Sequence, residues 1–174
     1  MGLLSKLFGG NRADMSDAAR IYAHVMKQSR RPEFFGDGRF ADDYDGRIDL
    51  LALNLSLIMK RARDSGENGK ILSQAIFDTL RDDFEVALRE EGLSDKGVAK
   101  RIKPMVKLFF DRMKSYDEAV DAGALRQKLA ENLGQEPDSP FAAQISSYAL
   151  SFFDGLKPLA LGDIARAKFS FPKL

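Results

Sequence analysis

Along most of this chain apolar residues recur every three to four positions, and no segment alternates apolar and polar residues in the two-residue rhythm of a strand. Ile21, Tyr22, Val25 and Met26 share one face and predict a first helix, capped by Asp14 or Ser16 and closed by Arg31-Pro32, because a residue before proline avoids helical angles. Upstream, Leu3, Leu4, Leu7 and Phe8 line one side of a short helical turn beside Lys6, the pattern of a small membrane-contacting anchor. Gly9, Gly10 and Asn11 should break that turn, so residues 1–14 are expected to be a flexible or membrane-touching segment and residues 15–174 a single helical domain.

The Gly- and Asp-rich loop 35–46 should be anchored on the core by Phe34, Phe35, Phe40 and Tyr44. Asp42, Asp43 and Asp45 precede Gly46 without the bidentate Glu that closes a calcium loop, and they read as a turn and helix cap. From 47 to 63, Ile48, Leu50, Leu51, Leu53, Leu55, Leu57, Ile58 and Met59 cover most of the helix circumference, which predicts a central helix buried on nearly all sides.

A long amphipathic helix follows, with Leu72, Ile76, Leu80, Phe84 and Leu88 in one stripe beside Ala75, Phe77 and Ala87, ended by Gly92 as a left-handed cap. Ser94 or Asp95 starts the next, whose expected buried stripe is Val98, Ile102, Met105, Val106, Phe109, Phe110 and Met113, with a bend at Pro104. Shorter helices are expected at 123–133, 141–156 and 161–168. The predicted fold is all-α, a single irregular bundle of about six to eight helices with no internal boundary.

Composition narrows the function. Of the 174 residues 44% are hydrophobic and 30% charged, the balance of an ordinary globular chain able to bury about two-thirds of its unfolded surface. Lys plus Arg number 27 against 26 Asp plus Glu, so net charge supplies no pull toward DNA, and any electrostatic partner must be met locally. Cysteine is absent, which removes thiolate nucleophiles and cysteine metal sites together. The longest apolar run, 50–59, is half of what a bilayer span needs, and a cytoplasmic location is the default expectation.

Candidate chemistry is thin. The single histidine, His24, has no neighbouring nucleophile or acid in a hydrolytic arrangement and reads as a partly exposed helix residue. Gly36, Gly38, Gly66 and Gly69 lack the strand and the Lys-Ser/Thr of a phosphate loop. Asp78, Asp82 and Glu85 share a helical surface that could meet a hard cation, but they read better as a solvated face. We expect no catalytic residues, no metal and no cofactor. Positive charge is better organised: Lys96, Lys100, Lys103, Lys107 and Lys114 form a ridge opposite the apolar stripe of their helix. Such a ridge is either a solvated polar face or a dock for an acidic partner, lipid headgroups or ribosomal RNA.

Several segments in order carry a family likeness across residues 22–120: Ser29-Arg30-Arg31-Pro32-Glu33-Phe34-Phe35, Asp45-Gly46-Arg47-Ile48-Asp49, and Asp82-Asp83-Phe84-Glu85 through Leu88-Arg89-Glu90-Glu91-Gly92-Leu93-Ser94-Asp95 to Val98-Ala99-Lys100-Arg101-Ile102-Lys103. Phe109, Arg112 and Tyr116 continue it. Together they resemble the ubiquinol-cytochrome c chaperone family. The resemblance implies a non-enzymatic assembly chaperone for newly made cytochrome b of the bc1 complex, peripheral on the inner face of the membrane, with a ribosome or a helper subunit as further partners. The general alternative is a membrane-peripheral or ribosome-docking module.

Motif charges at Arg47, Asp49, Asp83, Arg89, Glu90, Asp95, Lys100, Lys103 and Arg112, joined by Lys96 and Lys107 of the ridge, are the expected partner-binding set. The competing use of some of them is internal, with Arg89 or Arg112 pairing with Asp49 or Asp83. Three positions depart from the family pattern: Asn54 where a histidine is common, Asp111 in place of glycine, and Pro104 within an otherwise unbroken helix.

Overall fold

The computed structural model describes the backbone of residues 3–119 and 122–174, with side chains from Asp14 onward. Within them lie seven helices and one short 3-10 turn: α1 (Leu3–Gln28), the turn Pro32–Phe34, α2 (Tyr44–Arg63), α3 (Glu67–Glu90), α4 (Asp95–Glu118), α5 (Ala122–Leu133), α6 (Pro140–Leu156) and α7 (Leu161–Ala165). The all-α bundle predicted from periodicity is what forms, and strand-like pairing among the described residues is confined to one isolated bridge between Phe35 and Phe40.

The sequence places a break at Gly9-Gly10-Asn11 and a fresh cap at Asp14 or Ser16, whereas the backbone runs through both as one helix. An isolated glycine costs a helix only about 1 kcal/mol, and without proline, propagation from the packed part of α1 carries on. The side chains of Leu3, Leu4, Leu7 and Phe8, expected at a membrane, lie outside the described residues.

α2 is the axis of the bundle. Fourteen of its residues are buried, because it packs against α1, α3, α4, α6 and α7. Its start is set by two local devices. Asp43 caps it by accepting the Gly46 N–H at 2.9 Å, and Gly46 lies so close to the preceding loop that a β-carbon there would stand 2.1 Å from the Ala41 carbonyl oxygen. The acidic loop is thus the helix cap that the sequence implies.

α3 ends in a Schellman motif. Gly92 takes φ 84°, its N–H bonds the Arg89 carbonyl at 2.9 Å, and the Leu93 N–H reaches back to Leu88 at 3.2 Å. Ser94 then caps α4 through the Gly97 N–H at 3.4 Å. This tight corner folds α4 back along α3.

Polar groups pin the interior. Asn54, fully buried in α2, donates to Ser29 at 3.1 Å and accepts the Tyr148 hydroxyl at 2.9 Å; Gln28 donates to that hydroxyl at 3.2 Å. α1, α2 and α6 therefore meet at one satisfied network. Arg61 holds the connection after α6 through the carbonyls of Leu156 and Leu159, at 3.2 and 2.5 Å. His24 is the partly exposed helix residue that the sequence implies, and it also makes a contact: its Nε2 lies 3.2 Å from the Phe169 carbonyl and its ring meets Phe169 and Phe171. It clasps the C-terminal tail to α1.

Two expectations are corrected. Tyr44 is 45% exposed rather than anchored in the core, and Phe110 is 40% exposed at the edge of the α4 stripe, where it stacks on Phe77 with ring centroids 4.7 Å apart. Both sit where a helix surface turns from core to solvent, which periodicity alone assigns to neither side.

Candidate functional site

Where α2 begins, α3 ends and α4 passes, the bundle leaves an open groove of about 560 Å³. Its apolar lining is Ile48, Leu88 and Met105, all buried, with half-buried Leu108. Pro104 adds a wall that cannot donate a backbone hydrogen bond. Asp43, Asp45, Glu91 and Arg101 complete the lining and give it charge of both signs. Tyr44 is part of the same lining, with its hydroxyl 3.3 Å from the Met105 sulfur, and burial pushes its pKa above the ordinary tyrosine value.

The groove continues beyond Tyr44. A cleft of about 210 Å³ shares Tyr44 and Ile48 with it and is bordered by Arg30, Arg47, Asp83 and Phe84. A third, of about 520 Å³, shares Met26, Arg30 and Asp83 and reaches Tyr22 on α1. The result is a furrow across four helices with an apolar bed and a rim of mixed charge, the composition of a surface that takes an apolar segment with charged flanks.

The expected partner-binding residues divide into three groups. Asp49 and Arg112 form an internal bridge at 2.7 Å, and Arg112 also donates to Asn132 of α5. Burial raises the Asp49 carboxyl above its ordinary value, against the pull of Arg112. Of the internal pairings expected, this is the one that forms. Asp83 instead accepts the Tyr22 hydroxyl at 2.7 Å, which with burial drives the Tyr22 pKa up.

Arg47 and Asp83 border the furrow; Arg47 is held there by Asp42 at 2.6 Å and lies 5.2 Å over the Phe35 ring. The remaining charges are solvent-facing. Arg89 reaches Glu85 and Asp95 at 3.7 and 3.3 Å, exposed pairs worth under about 1 kcal/mol each. Glu90, Lys96, Lys100 and Lys103 are exposed with no ion pair among the described residues, and Lys107 is tied to Asp111.

The acidic face of α3 is committed to arginine. Arg81 bridges Asp78 and Asp82 at 3.6 and 2.9 Å, and Glu85 is taken by Arg89. Among the described residues no three His, Asp or Glu side chains gather as a metal would require. No described helix is long and apolar enough to cross a membrane.

Sequence reasoning missed Tyr44, Glu91, Arg101 and Leu108 as groove residues. Their signal was weak because they sit at the start of α2, just past the end of α3 and along α4, and only the packing of the three helices brings them together. Pro104, noticed as an oddity in a helix, is the clearest retrospective pointer, since it costs α4 a backbone hydrogen bond and lines the groove.

Comparison with known proteins places this geometry. The crystal structure described as the Cbp3 homolog from Brucella abortus superposes with a TM-score of 0.77 at 28% sequence identity, covering 98% of this chain and 97% of that one. No curated protein matches the chain. The family model described as ubiquinol-cytochrome C chaperone matches residues 37–171, a span that holds the groove, the α3–α4 corner and every helix from α2 onward. The chain belongs to the ubiquinol-cytochrome C chaperone family.

Proposed function

We propose that this protein is a non-enzymatic assembly chaperone that binds newly made cytochrome b during assembly of the bc1 complex and works at the inner, cytoplasmic face of the membrane. The observation that carries the reading is the furrow between α2, α3 and α4: an apolar bed of Ile48, Leu88, Met105 and Leu108 with Asp43, Asp45, Glu91 and Arg101 in its lining and Arg47 in the adjoining cleft. A client built of apolar helices with charged ends offers the complementary surface before its own partners arrive. Family membership supports a client protein as the partner; cytochrome b is the specific client we assign.

Loss of the gene tests the reading. Assembled bc1 complex should fall severalfold on native gels while other respiratory complexes hold their level, and an unchanged bc1 level would contradict the assignment. A general membrane-peripheral or ribosome-docking module is the second reading, and it rests on the unpaired lysines of α4. It predicts normal bc1 levels in the deletion strain.

A further inference from the structure

One stretch of α4 gathers positive charge on a single helix. From Lys96 to Phe110 it carries Lys96, Lys100, Arg101, Lys103 and Lys107 and not one Asp or Glu. At 100° per residue, Lys96, Lys100, Lys103 and Lys107 fall within a narrow strip on the solvent side. Lys96, Lys100 and Lys103 are exposed and have no ion pair among the described residues, although Lys107 spends its charge on Asp111. Elsewhere in the fold exposed cations divide between those held by a carboxylate three residues away, as in Arg20 with Asp17, Lys70 with Glu67 and Lys157 with Asp154, and scattered ones unpaired among the described residues, such as Lys27, Arg30 and Lys168; α4 sets three unpaired ones on a single strip.

A second feature lies along the same strip. Phe110, 40% exposed, follows Lys103 and Lys107 on the solvent edge of α4, backed by Phe77. A row of ammonium groups ending in an exposed aromatic ring matches an interface with anionic headgroups above and acyl chains just below them. A polyphosphate surface would use the lysines but offer no apolar layer to the exposed part of the phenylalanine.

We propose that this strip of α4 docks the protein on an anionic lipid surface. The groove residues Arg101, Pro104, Met105 and Leu108 lie roughly a third of a turn round the same helix, so docking brings the groove mouth beside the bilayer. The inference stands apart from the identity of the client, because it concerns a bilayer without one.

Flotation of the full chain with vesicles of phosphatidylglycerol and phosphatidylcholine in equal parts, against phosphatidylcholine alone, tests it. Wild type should float only with the anionic vesicles and lose binding as salt is raised. Lys96→Gln/Lys100→Gln/Lys103→Gln should weaken partition about a hundredfold, at roughly fivefold per lysine near such a surface. Phe110→Ser should weaken it further at high salt, where the apolar contact remains. The substituted lysines have no ion-pair partners to lose, so an unchanged thermal transition confirms folding. Equal flotation of wild type and the triple variant would overturn the proposal, and so would loss of binding to purified ribosomes with vesicle binding intact.

Discussion

Asp49 and Arg112 show how a residue can be legible in sequence and yet ambiguous in role. Both stand in family motifs, and both could face a partner or each other; the bundle closes them into a bridge of 2.7 Å between α2 and α4. Arg112→Ala therefore leaves a buried carboxylate without its counter-ion, and should cost about 3 kcal/mol in urea unfolding. The same pair sets a pH dependence. Burial holds the Asp49 carboxyl above its ordinary value, so the folded protein binds that proton more tightly than the unfolded chain. The stability this contributes is fully present below the unfolded pKa and is lost as pH rises through the folded one. The stability difference between wild type and Asp49→Asn should fall with rising pH above about 4; a difference that grows would reverse the assigned direction. Asn54 carries a comparable burden without charge. Asn54→Leu leaves the buried Tyr148 hydroxyl proton without its acceptor and Ser29 without the Asn54 amide, an expected loss of about 1–3 kcal/mol by the same measurement.

At the scale of elements, the hydrophobic spacing of α2, α3 and α6 and the capping residues Asp43, Gly92 and Ser94 were sufficient to place helices and corners. Each of those signals is local: a stripe every fourth residue, a carboxylate or hydroxyl before a helix, a glycine after one. What escaped was the run of α1 through Gly9 and Gly10, since propagation from a packed helix outweighs two weak breakers, and the exposure of Tyr44 and Phe110, since a helix edge is decided by its neighbours. The groove escaped for the same reason, being made by the packing of three helices rather than a motif. Pro104 gives a direct test of this picture. It sits inside α4 with no N–H to offer the carbonyl of Lys100. Pro104→Ala should therefore raise the stability of the bundle by about 1–3 kcal/mol in thermal unfolding, while changing the wall of the groove. Gly46→Ala should act oppositely, forcing the start of α2 away from Ala41 and lowering the unfolding temperature.

For the molecule as a whole, α4 presents two surfaces: one face lines the groove and another carries the unpaired lysines. The family is established by the match over residues 37–171; the client and its seat in the groove are our assignment. Capture of the tagged full-length protein from detergent-solubilised membranes, with cytochrome b quantified by mass spectrometry, tests that claim most directly. The account predicts recovery of cytochrome b with wild type, a severalfold loss with the groove variant Leu108→Glu, and no loss with Lys128→Glu on α5, away from the groove. Equal recovery with wild type and Leu108→Glu, or no cytochrome b with either, would contradict it.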